Sequence, residues 1–249
     1  MSGIIQISLL LVLGVLSLLP FFERFSKDAP HRMAAVKQLE ESVPDELLEE
    51  DAAWFEAWKA SGIDQEVRVP YFSQLDNASG YGGRECFSSA AAMVAAYWGK
   101  VSTDDEYNRI RARFGDTTSV QAQIKALESL GLEVEFRKDG DADMLEMEIE
   151  MGRPVMVGWL HQGDVSKAVP PSCNGTGCGH WSVISGYAGR HSSDPEWIMQ
   201  DPKGFPNLNK GGHDSTEWGR DARIRQAEFR PRWEVEGPRT GWVILVDGS

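Results

Sequence analysis

The chain is expected to fold as an α+β domain, with helices packed on an antiparallel sheet, behind an N-terminal transmembrane helix. Three observations carry that expectation. Segments with helical periodicity come first and strand-like segments later, the order of an α+β fold. Two apolar strands, His180 to Tyr187 and Trp197 to Gln200, are joined by a short turn around Arg190 to Asp194, which makes them antiparallel neighbours. Gly3 to Phe22 is almost wholly apolar, and about 20 such residues span the hydrocarbon of a bilayer as a helix.

The first part, residues 1–27, is therefore read as a membrane anchor that meets the lipid bilayer through residues 3–22. A cleaved signal peptide would need a basic leading region and a small-residue cleavage site, and neither is evident. Arg24, Lys27, Arg32 and Lys37 follow the apolar run, which by the positive-inside rule would leave the rest of the chain in the cytoplasm. A disulfide between Cys173 and Cys178 would argue for the opposite side, and the extracytoplasmic side is the expectation. Residues 28–66 form an acidic helical segment, either a stalk or a pro-segment lying over a cleft. Val43-Pro44-Asp45-Glu46 has the form of a helix start, with Trp54, Phe55 and Trp58 following at helical spacing.

The third part, residues 67–249, holds the main domain. Val67 to Phe72 alternates as a short extended segment, and a Gly/Asn/Asp-rich loop covers Asp76 to Arg84. Cys86 to Trp98 is a run of small apolar residues stopped by Gly99, the pattern of a buried helix. Amphipathic helices are expected over Asp104 to Phe114, Ser119 to Leu130 and Asp143 to Met151. Strands are expected over Leu132 to Arg137, Val155 to Leu160, His180 to Tyr187, Trp197 to Gln200 and Trp242 to Val246. The tail from Phe205 to Thr240 shows no clear period and assigns no element or role; a long substrate-shaping loop is one reading of it.

Composition excludes some functions. The net charge of -13, with no basic run, argues against nucleic acid, because phosphate binding needs clustered Lys and Arg. The cysteines are three: Cys86, Cys173 and Cys178. An odd count allows one bridge and one reduced thiol. Cys173 and Cys178 flank a Gly-rich loop that could close a small disulfide, or they remain two unrelated thiols. A zinc site would need more ligands than the nearby His180 supplies.

Cys86 opens its helix, where unpaired N–H groups and the helix dipole favour thiolate over thiol. His180 stands at the first residue of an apolar strand after Gly177-Cys178-Gly179, a rigid position facing a cleft. Asp201 ends the neighbouring strand before Pro202, beside His180, where a carboxylate can orient an imidazole. Gln74 offers a side-chain amide to a developing oxyanion, with the Cys86 backbone N–H as a second donor. His161 and His213 lack such loop-to-strand settings and are read as surface residues.

In order, Pro70-Tyr71-Phe72-Ser73-Gln74, Cys86-Phe87-Ser88-Ser89-Ala90-Ala91-Ala92-Met93, Gly179-His180-Trp181-Ser182-Val183-Ile184-Ser185-Gly186-Tyr187 and Gln200-Asp201-Pro202 resemble the papain-like cysteine peptidases. Within them the resemblance is to family 39, the bacteriocin-processing, double-glycine leader peptidases and their stand-alone relatives, over residues 67 to 205. It implies Gln74 as oxyanion donor, Cys86 as nucleophile, His180 as base and Asp201 as orienter. The expected activity is hydrolysis of peptide or peptidoglycan amide bonds through a thioester acyl-enzyme, without metal or organic cofactor. Phe87-Ser88 stands where relatives have Gly-Pro, and the Cys173/Cys178 loop looks like an addition. A catalytically dead peptide-binding module and a transpeptidase using the same three residues are the alternatives.

Overall fold

The computed structural model describes residues 62–167 and 177–248. The expected anchor over residues 3–22, nearly all of the 28–66 segment, and Cys173 lie outside the described residues. Among the described residues, no helix is long and apolar enough to cross a membrane.

The main domain begins earlier than Val67. Strand β1 (Ile63–Glu66) pairs antiparallel with β4 (Gly177–Ala188). Val67 to Phe72, expected to be extended, carries no strand pairing, although the Val67 N–H donates to the Ser185 carbonyl at 2.8 Å. Helix α1 (Cys86–Tyr97) follows a short turn at Gly82–Arg84 and is buried from Phe87 to Ala95. Its Ser and Ala side chains let neighbouring layers approach closely, so it runs through the centre of the domain. Helices α2 (Asp104–Arg111), α3 (Val120–Ser129) and α4 (Ala142–Glu150) are capped by Thr103, Ser119 and Asp141, whose side chains accept from Glu106, Ala122 and Met144 N–H groups.

The remaining strands are β2 (Glu133–Gly140), β3 (Val155–Gly163), β5 (Glu196–Gln200), β6 (Phe205–Pro206), β7 (His213–Ser215), β8 (Ala222–Arg225) and β9 (Gly241–Asp247). The large sheet runs β2-β9-β3-β4-β5-β8, with β1 added to β4, and all of its pairings are antiparallel. Side chains alternate between two cores. Met156, Trp181, Val183 and Ile244 pack with Phe87, Met93, Tyr107 and Leu127 from α1 to α3. Val157, Trp159, Ile184 and Val243 pack with Leu145 and Ile149 of α4 and with Phe229 and Trp233 of α5 (Gln226–Trp233).

Residues 205–240 are not a plain loop. They hold the β6-β7 hairpin, sheet strand β8 and helix α5. The pieces are two to eight residues long, and such short elements leave too few repeats for a period to be read. Pro231 inside α5 blurs the helical pattern further.

Candidate active site

Strands β4 and β5 set the first pair of groups. Their register places Val183 opposite Gln200, so the next residue of β5's chain, Asp201, arrives level with Ser182. Ser182 Oγ donates to Asp201 Oδ2 at 2.9 Å and in turn accepts from the Trp159 indole N–H at 3.0 Å. His180 Nε2 lies 2.9 Å from Asp201 Oδ1. Both residues are buried, Asp201 completely. The Asp201 backbone is held as firmly: its N–H donates to the Gly219 carbonyl at 2.8 Å, and its own carbonyl accepts from the Tyr71 hydroxyl at 3.0 Å. A Cβ on Gly219 would lie 2.1 Å from that carbonyl oxygen, so only glycine allows this approach.

Helix α1 brings the thiol. Cys86 is the first helical residue, partly exposed and free, and its N-cap Glu85 makes no side-chain cap. The first-turn N–H groups therefore stay available to an anion. The Glu85 carboxylate turns away and accepts from Asn77 and Ser79, which ties down the loop before the helix. The His180 side chain and the Trp181 backbone N–H both act on the Cys86 thiol and lower its pKa. His180 Nε2 is committed to Asp201, which leaves Nδ1 for the sulfur. Phe87 and Trp181, the residues that follow the thiol and the imidazole, stack with ring centroids 4.0 Å apart. Trp181 lies over Gly158, where a Cβ would meet its ring at 2.9 Å.

Burial opposes charge on all three groups, and their mutual attraction overrides it. Burial pushes the Cys86 thiol up, but the His180 charge and hydrogen bond, with the Trp181 N–H, leave it below its ordinary value. Burial pushes His180 down, but Asp201 and Cys86 raise it to about 10. Burial pushes Asp201 up, but His180 and His213 hold it far below the usual carboxylate range. The arrangement favours a thiolate–imidazolium pair oriented by a carboxylate.

Gln74 is joined to this group through its neighbours. Its backbone N–H donates to the Pro202 carbonyl at 2.8 Å, and its side-chain Nε2 donates to the Gly82 carbonyl just ahead of Cys86. Gln74 is buried, and its Oε1 has no hydrogen-bond partner. The amide thus stands between the turn after Asp201 and the turn before the thiol, with a second Nε2 hydrogen to offer. Cys178, at the start of β4, is disulfide-bonded.

His161 and His213 are not surface residues. His161 is buried and the His213 side chain is 4% exposed. His213 Nε2 lies 3.0 Å from Asp201 Oδ1, and His161 Nε2 lies 3.0 Å from His213 Nδ1. Burial, then the neighbouring His180 and His213, push His161 down to about 3, so it is neutral. His161 lies at the irregularity between Leu160 and Gln162 in the β3-β4 register, and His213 arrives through the β6-β7 hairpin, so neither position carries a signal in the sequence. His180, Asp201 and His213 offer ligand atoms within 4.8 Å of one another. Those atoms are already bonded among themselves, and a metal would have to displace the proton that His180 holds up to about 10. The donors fit a proton-sharing network better than a metal centre.

A family model described as the Peptidase_C39 like family matches residues 66–210. No curated protein matches the chain. Among solved structures, a double glycine motif protease from an AMS/PCAT transporter, in complex with the leader peptide, is 19% identical, with a TM-score of 0.42, covering 75% of this chain and 96% of that one. The peptidase domain of Streptococcus ComA, a bi-functional ABC transporter, is 17% identical with a TM-score of 0.45, covering 73% of this chain and all of that one. A protein described as a C39-like peptidase from Bacillus anthracis is 16% identical with a TM-score of 0.46, covering 74% of this chain and 98% of that one. The family model spans more than half of the chain, and the chain therefore belongs to the Peptidase_C39 like family of cysteine peptidases.

Proposed function

We propose that the chain hydrolyses peptide amide bonds with Cys86 as nucleophile, His180 as base and acid, and Asp201 as orienter. The observation that carries this reading is the buried His180 Nε2–Asp201 Oδ1 hydrogen bond of 2.9 Å, with the Cys86 thiol, at a helix start, electrostatically coupled to the same imidazole. The thiolate adds to the scissile carbonyl, and the C–O π electrons move to oxygen. Gln74 Nε2 and the Cys86 backbone N–H face that oxyanion. The C–N bond then breaks as His180 Nδ1 gives its proton to the leaving amine, which leaves a thioester on Cys86. Water, deprotonated by His180, adds to the thioester carbonyl, and the C–S bond breaks to release the acyl group as a carboxylic acid and restore the thiolate–imidazolium pair.

The substrate class is a peptide, with peptidoglycan cross-links as one form of it. The apolar run over residues 3–22 supports attachment to a bilayer, and a Cys173–Cys178 bridge supports an extracytoplasmic domain. The test is mass spectrometry of a peptide library and of peptidoglycan fragments incubated with the full chain and with Cys86→Ala. The Cys86→Ala chain should retain its circular dichroism and lose at least about 10³-fold of cleavage. Cleavage that survives the substitution removes the proposal. Alkylation with iodoacetamide before and after reduction reports the bridge in the same samples.

A further inference from the structure

The peptidase mechanism needs one imidazole on Asp201, yet Asp201 has two. Oδ1 accepts from His180 Nε2 at 2.9 Å, from His213 Nε2 at 3.0 Å and from the Lys203 backbone N–H at 2.9 Å, while Oδ2 takes Ser182. Building on the mechanism above, we propose that His213 is a positioning residue for the Cys86–His180 pair: it shares Asp201 Oδ1 with His180, which fixes the carboxylate and moderates its hold on the His180 proton.

An ionised carboxylate only accepts, so both Nε2 atoms on Asp201 carry hydrogen. On its far side His213 Nδ1 lies 3.0 Å from Nε2 of the neutral His161, and that contact seats the His213 ring. Three donors converge on an oxygen with two lone pairs, so none of them has its full strength. His180 therefore meets a carboxylate whose charge is already partly engaged, and it releases its proton to a leaving amine more readily than it would to a lone buried Asp.

The rest of the fold braces this second imidazole. His161 sits where the β3-β4 register shifts between Leu160 and Gln162, and bulges re-aim side chains in this way. The Gly212 N–H donates to the His161 carbonyl at 2.8 Å, which ties the residue before His213 to β3. Buried Arg232 donates to the Leu160, Leu208 and Asn209 carbonyls, clamping the segment that leads into β7 onto the same strand. The other charged or titratable groups facing the cluster are Cys86 from α1, Lys203 on the turn after Asp201, Tyr71 against the Asp201 backbone, and Arg220 over the Tyr71 ring. None of these reaches Asp201 Oδ1 with a side chain.

The experiment follows iodoacetamide alkylation of Cys86 against pH in the full chain, with ¹⁵N spectra of the histidine rings. Its upper step, where His180 loses its proton, should move up in His213→Phe by about one pH unit, the size of one hydrogen bond to a charged group. His213→Gln, which keeps an N–H donor, should return the step towards wild type. A folded His213→Phe chain whose upper step stays put or moves down overturns the inference. Should that variant fail to fold, His161→Phe should move the step up by less, and an unmoved step there overturns it equally. A wild-type Cys86 no more reactive than an ordinary thiol would instead sink the peptidase mechanism on which the inference rests.

Discussion

Complete burial penalises the Asp201 carboxylate, and its ionisation rests on the donors around it and on the His180 charge. Replacing it with Asn separates charge from shape. The amide oxygen can still accept from His180 at the Oδ1 position, and the amide N–H₂ can donate to Ser182 Oγ, so the packing is kept while the charge is lost. Without that charge, burial pulls His180 down from about 10, and the thiolate loses its partner. Asp201→Asn should therefore lower kcat by roughly 10²-fold or more and slow iodoacetamide labelling at pH 6. The same charge contributes to stability, with signs that follow from the two shifts. Asp201 is depressed, so its contribution is present above the unfolded value of about 4 and lost as pH falls below it. His180 is raised, so its contribution is full below the unfolded value of about 6.5 and lost as pH rises through about 10. Urea midpoints of wild type and Asp201→Asn should differ most between those two unfolded values and converge towards pH 2 and towards pH 11.

At the scale of elements, the contact between α1 and β4 decides whether thiol and imidazole meet. Phe87 and Trp181 are both buried and stack at an interplanar angle of 6°, each one residue beyond its reactive neighbour. The stack fixes the end of the helix against the start of the strand. Phe87→Ala should cost about 3–5 kcal/mol, as a large core ring is lost, read as a lower urea midpoint. Labelling of Cys86 at pH 6 should also slow in the protein that remains folded, because α1 is freer to shift along β4. A core substitution with equal loss of stability far from this junction, such as Leu145→Ala, should leave labelling unchanged. Much of this level was legible beforehand. The small-residue run from Cys86 and the stop at Gly99 marked α1, and apolar runs marked β3, β4, β5 and β9. Strand β1 was not legible, because Ile63-Asp64-Gln65-Glu66 pairs by its backbone and buries little. The Phe87–Trp181 stack was equally hidden, since local sequence does not report which distant rings meet.

Across the whole molecule, Cys86, His180 and Asp201 come from one helix start and two neighbouring strands, whereas His161 and His213 depend on a late segment folding back over β3. Cys86, His180 and Asp201 sit at element ends with flanks that the sequence shows, whereas His161 and His213 gain meaning only from tertiary contacts. Arg232 is the residue that joins those parts. Its guanidinium is buried, its pKa is lowered by that burial, and its donors reach three carbonyls on two separate segments. Arg232→Met would leave those carbonyls without their partner and should cost about 3 kcal/mol or more. Lys keeps the charge but has no planar fork to span three acceptors, so Arg232→Lys should recover little of the loss. The consequence should also reach the active site. As the clamp loosens, the Gly211 and Gly212 amides should exchange hydrogen faster, and His213 should spend less time on Asp201. Alkylation profiles of Arg232→Met below its melting temperature should then show the upper step moved up, as in His213→Phe. Faster exchange with an unmoved step would confine Arg232 to stability and uncouple the late segment from the chemistry at Cys86.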